Sequence, residues 1–539
     1  MQRTSNTSFM TTAPVHVRRV GVALAAVLSL LVLASPALAA DAYPPTPDVP
    51  CDAGSLPEST QGRVPLAEVE SGRAAKGYTC NAREVGHHGV TGGFRVESYT
   101  DKAGHVCAYY DTTLLFPKDT LNQGVEGTGT YVLDMTDPTK PVLTDTLKTP
   151  AMESPHESLR LNKKRGLLAA ALSYPTFNPG FVDVYDVTAD CRHPALQSST
   201  PLGVLGHESG FSPDGNTFYV GSLYGHTLAA VDLTNPVVPQ LLWLTYDYQP
   251  HGMSVSDDGT RLYMAEAGFN DGDFSGLTIL DVTQIQKRVV NPTVPIVSRT
   301  TWPNVSTPQT TEPFTLHGHP YLMENDEYGS GAAVGAGRII DMADEKKPVV
   351  ISNMRLAVHQ AAAQAGDQKN DPGADVGGTD RFQGYRGHYC TLPTRVDPTI
   401  VACAFILSGF RVFDIADPRH PQEIAYFNGK IKADSNPLHH GAFAMSAPAF
   451  SPRHDEMWYS DGNLGFYAVR LTAAAKRSAT LTTPPKAKPP AARPAAAASG
   501  GGSSTGTLPT TGLPVLLPLA GLSLLAMVSV VRRRRTVRE

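Results

Sequence analysis

Histidines recur near the start of almost every unit of a repeated pattern in this chain. Three of them stand in related surroundings: Pro155-His156-Glu157-Ser158, Gly206-His207-Glu208-Ser209 and Pro250-His251-Gly252. Neutral imidazoles bind copper or zinc, and an all-nitrogen set favours those metals over magnesium or calcium. A glutamate beside such a histidine can orient the ligand ring or act as a general base, so Glu157 and Glu208 are candidate catalytic residues. The candidate metal ligands, called the histidine ladder below, are His88, His156, His207, His251, His317, His319, His388, His439 and His440.

The ladder also has a purely structural interpretation. A histidine at the same place in every repeat can hydrogen-bond within the loop that joins neighbouring units, and Glu157 and Glu208 can be solvated carboxylates. The two interpretations differ in geometry. A metal site requires the ring nitrogens of at least three ladder histidines to share one ion at about 2.0–2.1 Å.

The repeated pattern itself is a short apolar strand that ends in aspartate and leads into a turn. Valine, isoleucine, tyrosine and phenylalanine suit a pleated, half-buried surface. The aspartate can accept hydrogen bonds from the backbone of the turn, and a following proline ends the strand pairing because it lacks an N–H. The strand-ending aspartates are Asp134, Asp186, Asp232, Asp281, Asp341 and Asp414, and a degenerate seventh copy covers Gly465 to Leu471.

These repeats resemble the LVIVD-repeat family of β-propellers. The resemblance implies an all-β fold, a seven-bladed β-propeller over residues 85–475, with a pair of β-sandwiches as the alternative. In a propeller the first strand of each blade lines the central channel, so the ladder is expected around one end of that channel. The N-terminal segment 40–84 is expected to help close the ring, with Thr79 to Val85 pairing near Trp458.

Both ends of the chain carry export signals. Arg18 and Arg19 precede an apolar stretch, and Ala37-Leu38-Ala39 is a small-x-small cleavage site, which predicts a signal peptide over residues 1–39. Residues 476–507 are rich in proline, alanine, glycine and serine. That composition predicts an extended, disordered stalk.

The C-terminal segment 508–539 resembles an LPxTG sortase sorting signal. Leu508-Pro509-Thr510-Thr511-Gly512 precedes an apolar run long enough for a transmembrane helix and then a basic tail, Arg532 to Arg535. The resemblance implies that sortase cleaves between Thr511 and Gly512 and joins Thr511 to peptidoglycan. The protein is therefore expected on the cell wall of a Gram-positive bacterium. An ordinary C-terminal membrane anchor is the alternative.

Composition narrows the remaining choices. The formal net charge is −5, so no nucleic-acid partner is indicated. Six cysteines in an exported chain allow disulfides. The candidate pairs are Cys51 with Cys80 and Cys390 with Cys403, the latter across a predicted hairpin, although the sequence leaves the pairing open.

One further segment has two interpretations. The acidic residues from Glu324 to Glu327 form either a solvated loop or a Ca²⁺ site.

Two functions remain open. The first is a surface binding or adhesion module for an unknown extracellular ligand, favoured by the predicted anchor and stalk and by the lack of a recognisable catalytic motif. The second is a copper- or zinc-dependent enzyme, with oxidoreductases among the candidates, supported by the histidine ladder alone.

Overall fold

The computed structural model describes residues 43–478 except 113–128, 174–179, 269–271, 330–332, 361–362, 364–383 and 432–441. The predicted signal peptide, the sorting signal and nearly all of the stalk lie outside these residues, as do His439 and His440. Within the described ranges, no helix is both long and apolar enough to cross a membrane.

Seven antiparallel sheets, formed in turn along the chain, build a seven-bladed β-propeller. The sequence-based prediction of that fold is confirmed. Parallel bridges between Arg95 and Ala447 and between Glu157 and Glu208 join the first strands of neighbouring blades. The inner ends of the blades therefore meet around a common centre.

The first three blades each contain four strands in sequential order, running outwards from the centre. Blade 1 contains β3 (Val96–Thr100), β4 (Val106–Asp111), β5 (Thr130–Asp134) and β6 (Val142–Leu147). Blade 2 contains β7 (Arg160–Asn162), β8 (Leu167–Ala171), β9 (Phe181–Asp186) and β10 (Ala195–Pro201). Blade 3 contains β11 (Glu208–Phe211), β12 (Thr217–Ser222), β13 (Thr227–Asp232) and β14 (Gln240–Thr245).

Blades 4 to 6 repeat this order, and blade 6 has a fifth strand on its outer edge. Blade 4 contains β15 (Pro250–Val255), β16 (Arg261–Glu266), β17 (Gly276–Asp281) and β18 (Ile296–Thr300). Blade 5 contains β19 (Thr307–Leu316), β20 (His319–Glu327), β21 (Gly337–Asp341) and β22 (Val349–Met354). Blade 6 contains β23 (Tyr389–Thr391), β24 (Ile400–Phe405), β25 (Gly409–Asp414), β26 (Gln422–Asn428) and the edge strand β1 (Tyr78–Cys80).

Blade 7 closes the ring with strands from both ends of the described chain. It contains β27 (Ala449–Phe450), β28 (Met457–Asp461) and β29 (Gly465–Leu471), and its outer strand is β2 (Ala82–His88). The segment expected to close the ring therefore contributes strands to two different blades. Its later part pairs with β29, which neighbours the Trp458 strand, whereas Tyr78–Cys80 pairs with β26 of the preceding blade.

Short helices lie between and beside the blades. They are α1 (Leu66–Glu70), α2 (Pro150–Glu153), α3 (Thr283–Gln286), α4 (Ala473–Ser478) and two 3-10 turns, Ala74–Lys76 and Ala357–His359. Helix α4 includes the first residues of the segment predicted as stalk.

The repeated aspartates end the third strands of blades 1 to 6. In each blade the carboxylate accepts a hydrogen bond from the backbone N–H two residues later, at 2.7–2.9 Å. Each bond satisfies an N–H at the point where the strand pairing stops, which is why the pattern recurs once per blade.

The hydrophobic core lies between neighbouring blades. Tyr110 and Leu133 of blade 1, for example, pack with Trp458 and Phe466 of blade 7, all essentially buried. Burying a large side chain of this kind stabilises the fold by about 1.5–3 kcal/mol. This packing fixes the distance between first strands, and thereby the width of the channel.

Three disulfides are present. Cys51 bonds Cys80 and Cys390 bonds Cys403, the two pairs offered by the sequence, and Cys107 bonds Cys191. The described residues contain no free cysteine. Disulfides of this number fit an extracellular protein.

Candidate metal centre

Four ladder histidines gather at one end of the channel. His156, His207 and His388 directly precede or lead into the first strands of their blades, and His251 lies in β15. All four are buried, with exposures of 3%, 6%, 2% and 0% for His156, His207, His251 and His388. Their equivalent places in blades 2, 3, 4 and 6 set them at the same level around the centre. The ring centroids of His156 and His207 are 4.5 Å apart, and those of His207 and His251 are 4.9 Å apart.

Two buried carboxylates complete the group, Glu157 from blade 2 and Glu327 at the end of β20. Glu157 Oε2 lies 3.2 Å from His207 Nε2 and 3.9 Å from His251 Nε2. His388 Nε2 lies 3.3 Å from Glu157 Oε1 and 3.2 Å from Glu327 Oε1. Glu327 Oε2 is 3.5 Å from His251 Nε2. The carboxylates thus join three of the four imidazoles, and we call the six residues the His–Glu cluster.

Several buried atoms of the cluster form no well-directed hydrogen bond, although some of them lie 3.2–3.3 Å from a facing imidazole or carboxylate of the cluster. They are both ring nitrogens of His156, Nε2 of His207 and His388, Oε2 of Glu157 and Oε1 of Glu327. A buried polar atom without a partner carries a desolvation cost of about 1–3 kcal/mol. An ion bound among these atoms would remove that cost.

The tautomers of two histidines are fixed by the neighbouring blades. His251 Nδ1 donates to the Pro308 carbonyl oxygen at 2.9 Å, and His388 Nδ1 donates to the Met445 carbonyl oxygen. In the neutral ring, Nε2 then carries a lone pair, and in both residues it faces carboxylate oxygens. Two electron-rich groups repel each other unless a proton or a metal ion lies between them.

The electrostatics of the four rings differ. Burial lowers the pKa of His156 and of His251 to about 3, so both rings are neutral at physiological pH. Burial acts in the same direction on His388, but the Glu327 and Glu157 carboxylates outweigh it and raise the pKa of His388 to about 10. Burial favours the neutral acid at Glu157, yet the facing imidazoles of His207 and His156 hold its pKa well below the ordinary range. Without an ion, the cluster therefore combines the neutral rings of His156 and His251 with a protonated His388 and the anionic Glu157.

His156, Glu157 and His207 offer the tightest potential ligand set. One ligand atom from each lies within 4.8 Å of the others, and all three residues are buried. Ligands at about 2.0–2.1 Å from one ion with tetrahedral geometry are about 3.4 Å apart. Loading therefore requires the ligand atoms to move towards one another by roughly 1 Å or somewhat more.

Glu208 has a different environment from Glu157. Its Oε1 pairs with the guanidinium groups of both Arg95 and Arg160. Its side chain also occupies the space where a Cβ on Gly252 would lie, since that atom would be 1.7 Å from Glu208 Oε2. Glu208 is therefore shared between two arginines, an arrangement that opposes its use as a general base.

The other described ladder histidines lie elsewhere. His88 is on the outer strand of blade 7, where Nδ1 is 3.2 Å from the Tyr110 hydroxyl. His317 and His319 lie at the β19–β20 turn; His317 is 90% exposed in its side chain, and His319 Nε2 is 2.8 Å from Asp341. In blade 5 the first strand instead brings Gln309 to the channel, where it donates to the Tyr389 hydroxyl at 2.9 Å.

The acidic segment expected as a loop is part of strand β20. Arg338 pairs with Glu324 and Asp326, so these carboxylates have a cation already and the Ca²⁺ expectation fails for them. Glu327 is the residue of this segment that faces the histidines. Glu327 ends the second strand of blade 5, whereas the ladder was identified near the first strands, so the repeat pattern did not identify it as part of the cluster.

A second group of potential ligands, Asp101, His105 and Asp190, lies outside the channel. His105 Nδ1 is 2.8 Å from Asp101, and Arg192 pairs with Asp190 through two nitrogens. These groups satisfy one another without an ion.

Comparison with known proteins gives a fold and nothing more specific. No protein-family model matches the chain, and no curated protein matches it. Among solved structures, hydrazine synthase from Kuenenia stuttgartiensis is 13% identical, with a TM-score of 0.43 over 72% of this chain and 97% of that one. The periplasmic gluconolactonase of Pseudomonas aeruginosa is 12% identical, with a TM-score of 0.42 over 64% and 92% of the two chains. A chain of a mitotic checkpoint complex is 11% identical, with a TM-score of 0.42 over 72% and 94%. These likenesses carry no inference about activity, and the resemblance to LVIVD-repeat proteins stays a prediction.

Proposed function

We propose that the protein is an exported copper- or zinc-dependent enzyme whose metal ion is held by the His–Glu cluster. The observation that carries the proposal is the buried set His156, Glu157 and His207, whose ligand atoms lie within 4.8 Å of one another. Imidazole nitrogen with carboxylate oxygen is a donor set that occurs in zinc, copper and non-haem iron sites.

The ligand roles follow from the geometry. His156, His207 and Glu157 form the primary set, and His251 presents Nε2 to the same carboxylate. His251 and His388 have their Nδ1–H groups held by backbone carbonyls, which is the usual way a protein orients a metal-binding imidazole. A bound ion would supply Lewis acidity or, for copper, one-electron chemistry.

An enzymatic role is favoured over a structural one because the ring does not depend on the ion for closure. Strand pairing between β2 and β29 and three disulfides hold the fold. Structural zinc sites typically stabilise domains that lack such support. A metal in this channel is therefore better explained by reactivity than by folding.

The test is metal analysis of the purified protein after loading with Cu²⁺ or Zn²⁺ and removal of free ions. We expect about one ion per chain in the wild type. In His156→Ala, His207→Ala and the double variant, bound metal should fall stepwise.

The matched control is His319→Ala, which removes a ladder histidine outside the cluster. It should leave metal content unchanged. A wild-type protein that stays metal-free after loading, or a histidine-to-alanine series without effect, would overturn the proposal.

A second function, a surface binding or adhesion module, rests on the C-terminal segment Leu508 to Gly512 and the basic tail. Under this proposal sortase and peptidoglycan are partners, and the propeller displays an unidentified ligand site outside the cell wall of a Gram-positive bacterium. Mass spectrometry of protein released by muramidase should find Thr511 joined to a peptidoglycan fragment. A mature C-terminus that retains residues 512–539 would exclude wall anchoring.

A further inference from the structure

A cavity of about 350 Å³ lies further along the channel from the His–Glu cluster. First strands from six blades form its wall, including β3, β7, β15, β19, β23 and β27. Tyr389 and Arg95 line it, and Arg95 Nε donates to the Glu157 carbonyl oxygen at 3.0 Å. The cavity thus adjoins the cluster but contains none of its six side chains.

Eight charged side chains line this cavity and an adjoining hollow of about 330 Å³. Basic groups outnumber acidic ones around the two. The basic residues are Arg95, Arg160, Lys163, Lys164 and Arg395, and the acidic residues are Glu97, Asp257 and Glu312.

Internal pairing leaves part of this positive charge uncompensated. Glu208 is shared between Arg95 and Arg160, and Asp257 pairs with Arg395 at 2.9 Å. Lys163 Nζ donates to the neutral Ser98 hydroxyl at 3.2 Å.

Two glutamates, Glu97 and Glu312, offset part of this charge. Burial raises the pKa of both Glu97 and Glu312, although nearby arginines act in the opposite direction. Glu312 also accepts the Leu392 backbone N–H at 3.0 Å, which fixes its position. Five basic side chains thus face three lining carboxylates and Glu208, which leaves a small excess of positive charge with oxygen acceptors at the edge of the cavity.

We infer that this cavity binds a small organic or inorganic anion that carries two or more acidic groups. Guanidinium groups match carboxylate and phosphate oxygens in pairs, and a lysine adds a further point charge. The volume is typical of small-molecule sites. The inference does not depend on a metal in the cluster.

The test is isothermal titration of the intact, chelator-treated protein with citrate and, separately, with pyrophosphate, at low ionic strength. Chelator treatment is needed because both anions bind metals. At least one anion should bind with one site per chain, and its affinity should fall as salt is added. Whichever anion binds more tightly distinguishes carboxylate from phosphate recognition.

The double variant Lys163→Met, Arg395→Met should bind the anion at least tenfold more weakly. Lys140→Met, on an exposed turn outside both hollows, is the matched control and should bind as the wild type does. Unfolding curves establish that each variant is folded. Arg160→Gln is a second variant, and it should also bind the anion more weakly than the wild type does.

Two results would overturn the inference: neither anion binds the wild type, or the double variant binds it with unchanged affinity. His156→Ala separates the two sites, because it should lose metal but keep anion binding. Failure of the metal proposal would therefore leave this result intact.

Discussion

Two neighbouring glutamates, Glu157 and Glu208, occupy successive blades at bridged positions yet have opposite surroundings. Glu157 faces imidazoles, and Glu208 faces two guanidinium groups. Side chains at the same repeat position thus perform different tasks because the neighbouring blade supplies a different partner. Repeat position alone does not reveal which glutamate belongs to the metal site.

Replacement of Glu208 should lower the stability of the fold without changing the amount of metal that the protein binds. In Glu208→Gln, the buried Arg95 and the largely buried Arg160 lose their shared carboxylate. Breaking a buried ion pair in this way should lower the free energy of unfolding by roughly 3 kcal/mol. Metal content of the folded variant should stay at the wild-type value. Urea unfolding and metal analysis of the same sample check both parts, and loss of metal with unchanged stability would contradict the assignment.

Asp461 provides a pH-dependent contribution to stability away from the channel centre. Its carboxylate is fully buried and accepts backbone N–H groups of Phe443 and Asn463, and no cation is paired to it among the residues that the structure describes. Burial raises the pKa of Asp461 to about 7, whereas the ordinary value is 3.8. The folded state therefore binds a proton more tightly than the unfolded state does.

The sign of the resulting pH dependence follows from linkage. The contribution of Asp461 is fully present below about pH 4 and is lost as the pH rises to about 7, above which it is constant. Denaturant unfolding at several pH values should show a smaller decline between pH 4 and 7 in Asp461→Asn than in the wild type. If the free energy of unfolding changed with pH equally in the two proteins, the Asp461 carboxyl would have the same pKa in the folded and unfolded states, which would contradict the prediction.

At the scale of the elements, the three disulfides close loops of different length. The sequence separations are 84 for Cys107–Cys191, 29 for Cys51–Cys80 and 13 for Cys390–Cys403. Loop-closure entropy gives stabilisations of about 4.5, 3.6 and 2.9 kcal/mol in that order. Paired cysteine-to-serine variants should therefore lose stability in the same order, as measured by thermal unfolding. A reversed order would mean that native packing around the bridges outweighs the entropy of the unfolded chain.

The blades could be predicted from the sequence because their signals are local. Each third strand ends in an aspartate that bonds within its own turn, so the pattern survives without knowledge of the ring. The cluster could be predicted only in part. His156, His207, His251 and His388 occupy equivalent places and converge.

The rest of the cluster depends on tertiary placement. His317 and His319 follow the ten-residue strand β19 and so lie at its far end, away from the cluster. Glu327 reaches the cluster from a second strand. Strand length and the register between strands decide which of these side chains reach the cluster. Neither property can be read from a repeat pattern.

At the scale of the whole molecule, the N-terminal segment secures the ring in two separate ways. Strand β2 completes blade 7, and the preceding residues form a strap over blade 6. In the strap, Glu58 forms two hydrogen bonds to the buried Arg411, at 2.7 and 2.9 Å, and Gln61 bonds Glu423 at 2.6 Å. Ring closure and the strap can therefore be tested independently.

Two truncations distinguish these roles. A chain that begins at Ala82 lacks the strap but keeps β2, so it should unfold in one cooperative transition at a lower temperature than the wild type. A chain that begins at Gly89 also lacks β2, which leaves the edge of β29 unpaired. That chain should lose the single transition or self-associate through the open edge, because an exposed strand recruits other strands. Calorimetry with light scattering measures both outcomes. If the two chains unfolded at the same temperature and neither self-associated, pairing of β2 with β29 would not stabilise the ring, and packing between blades alone would hold the molecule together.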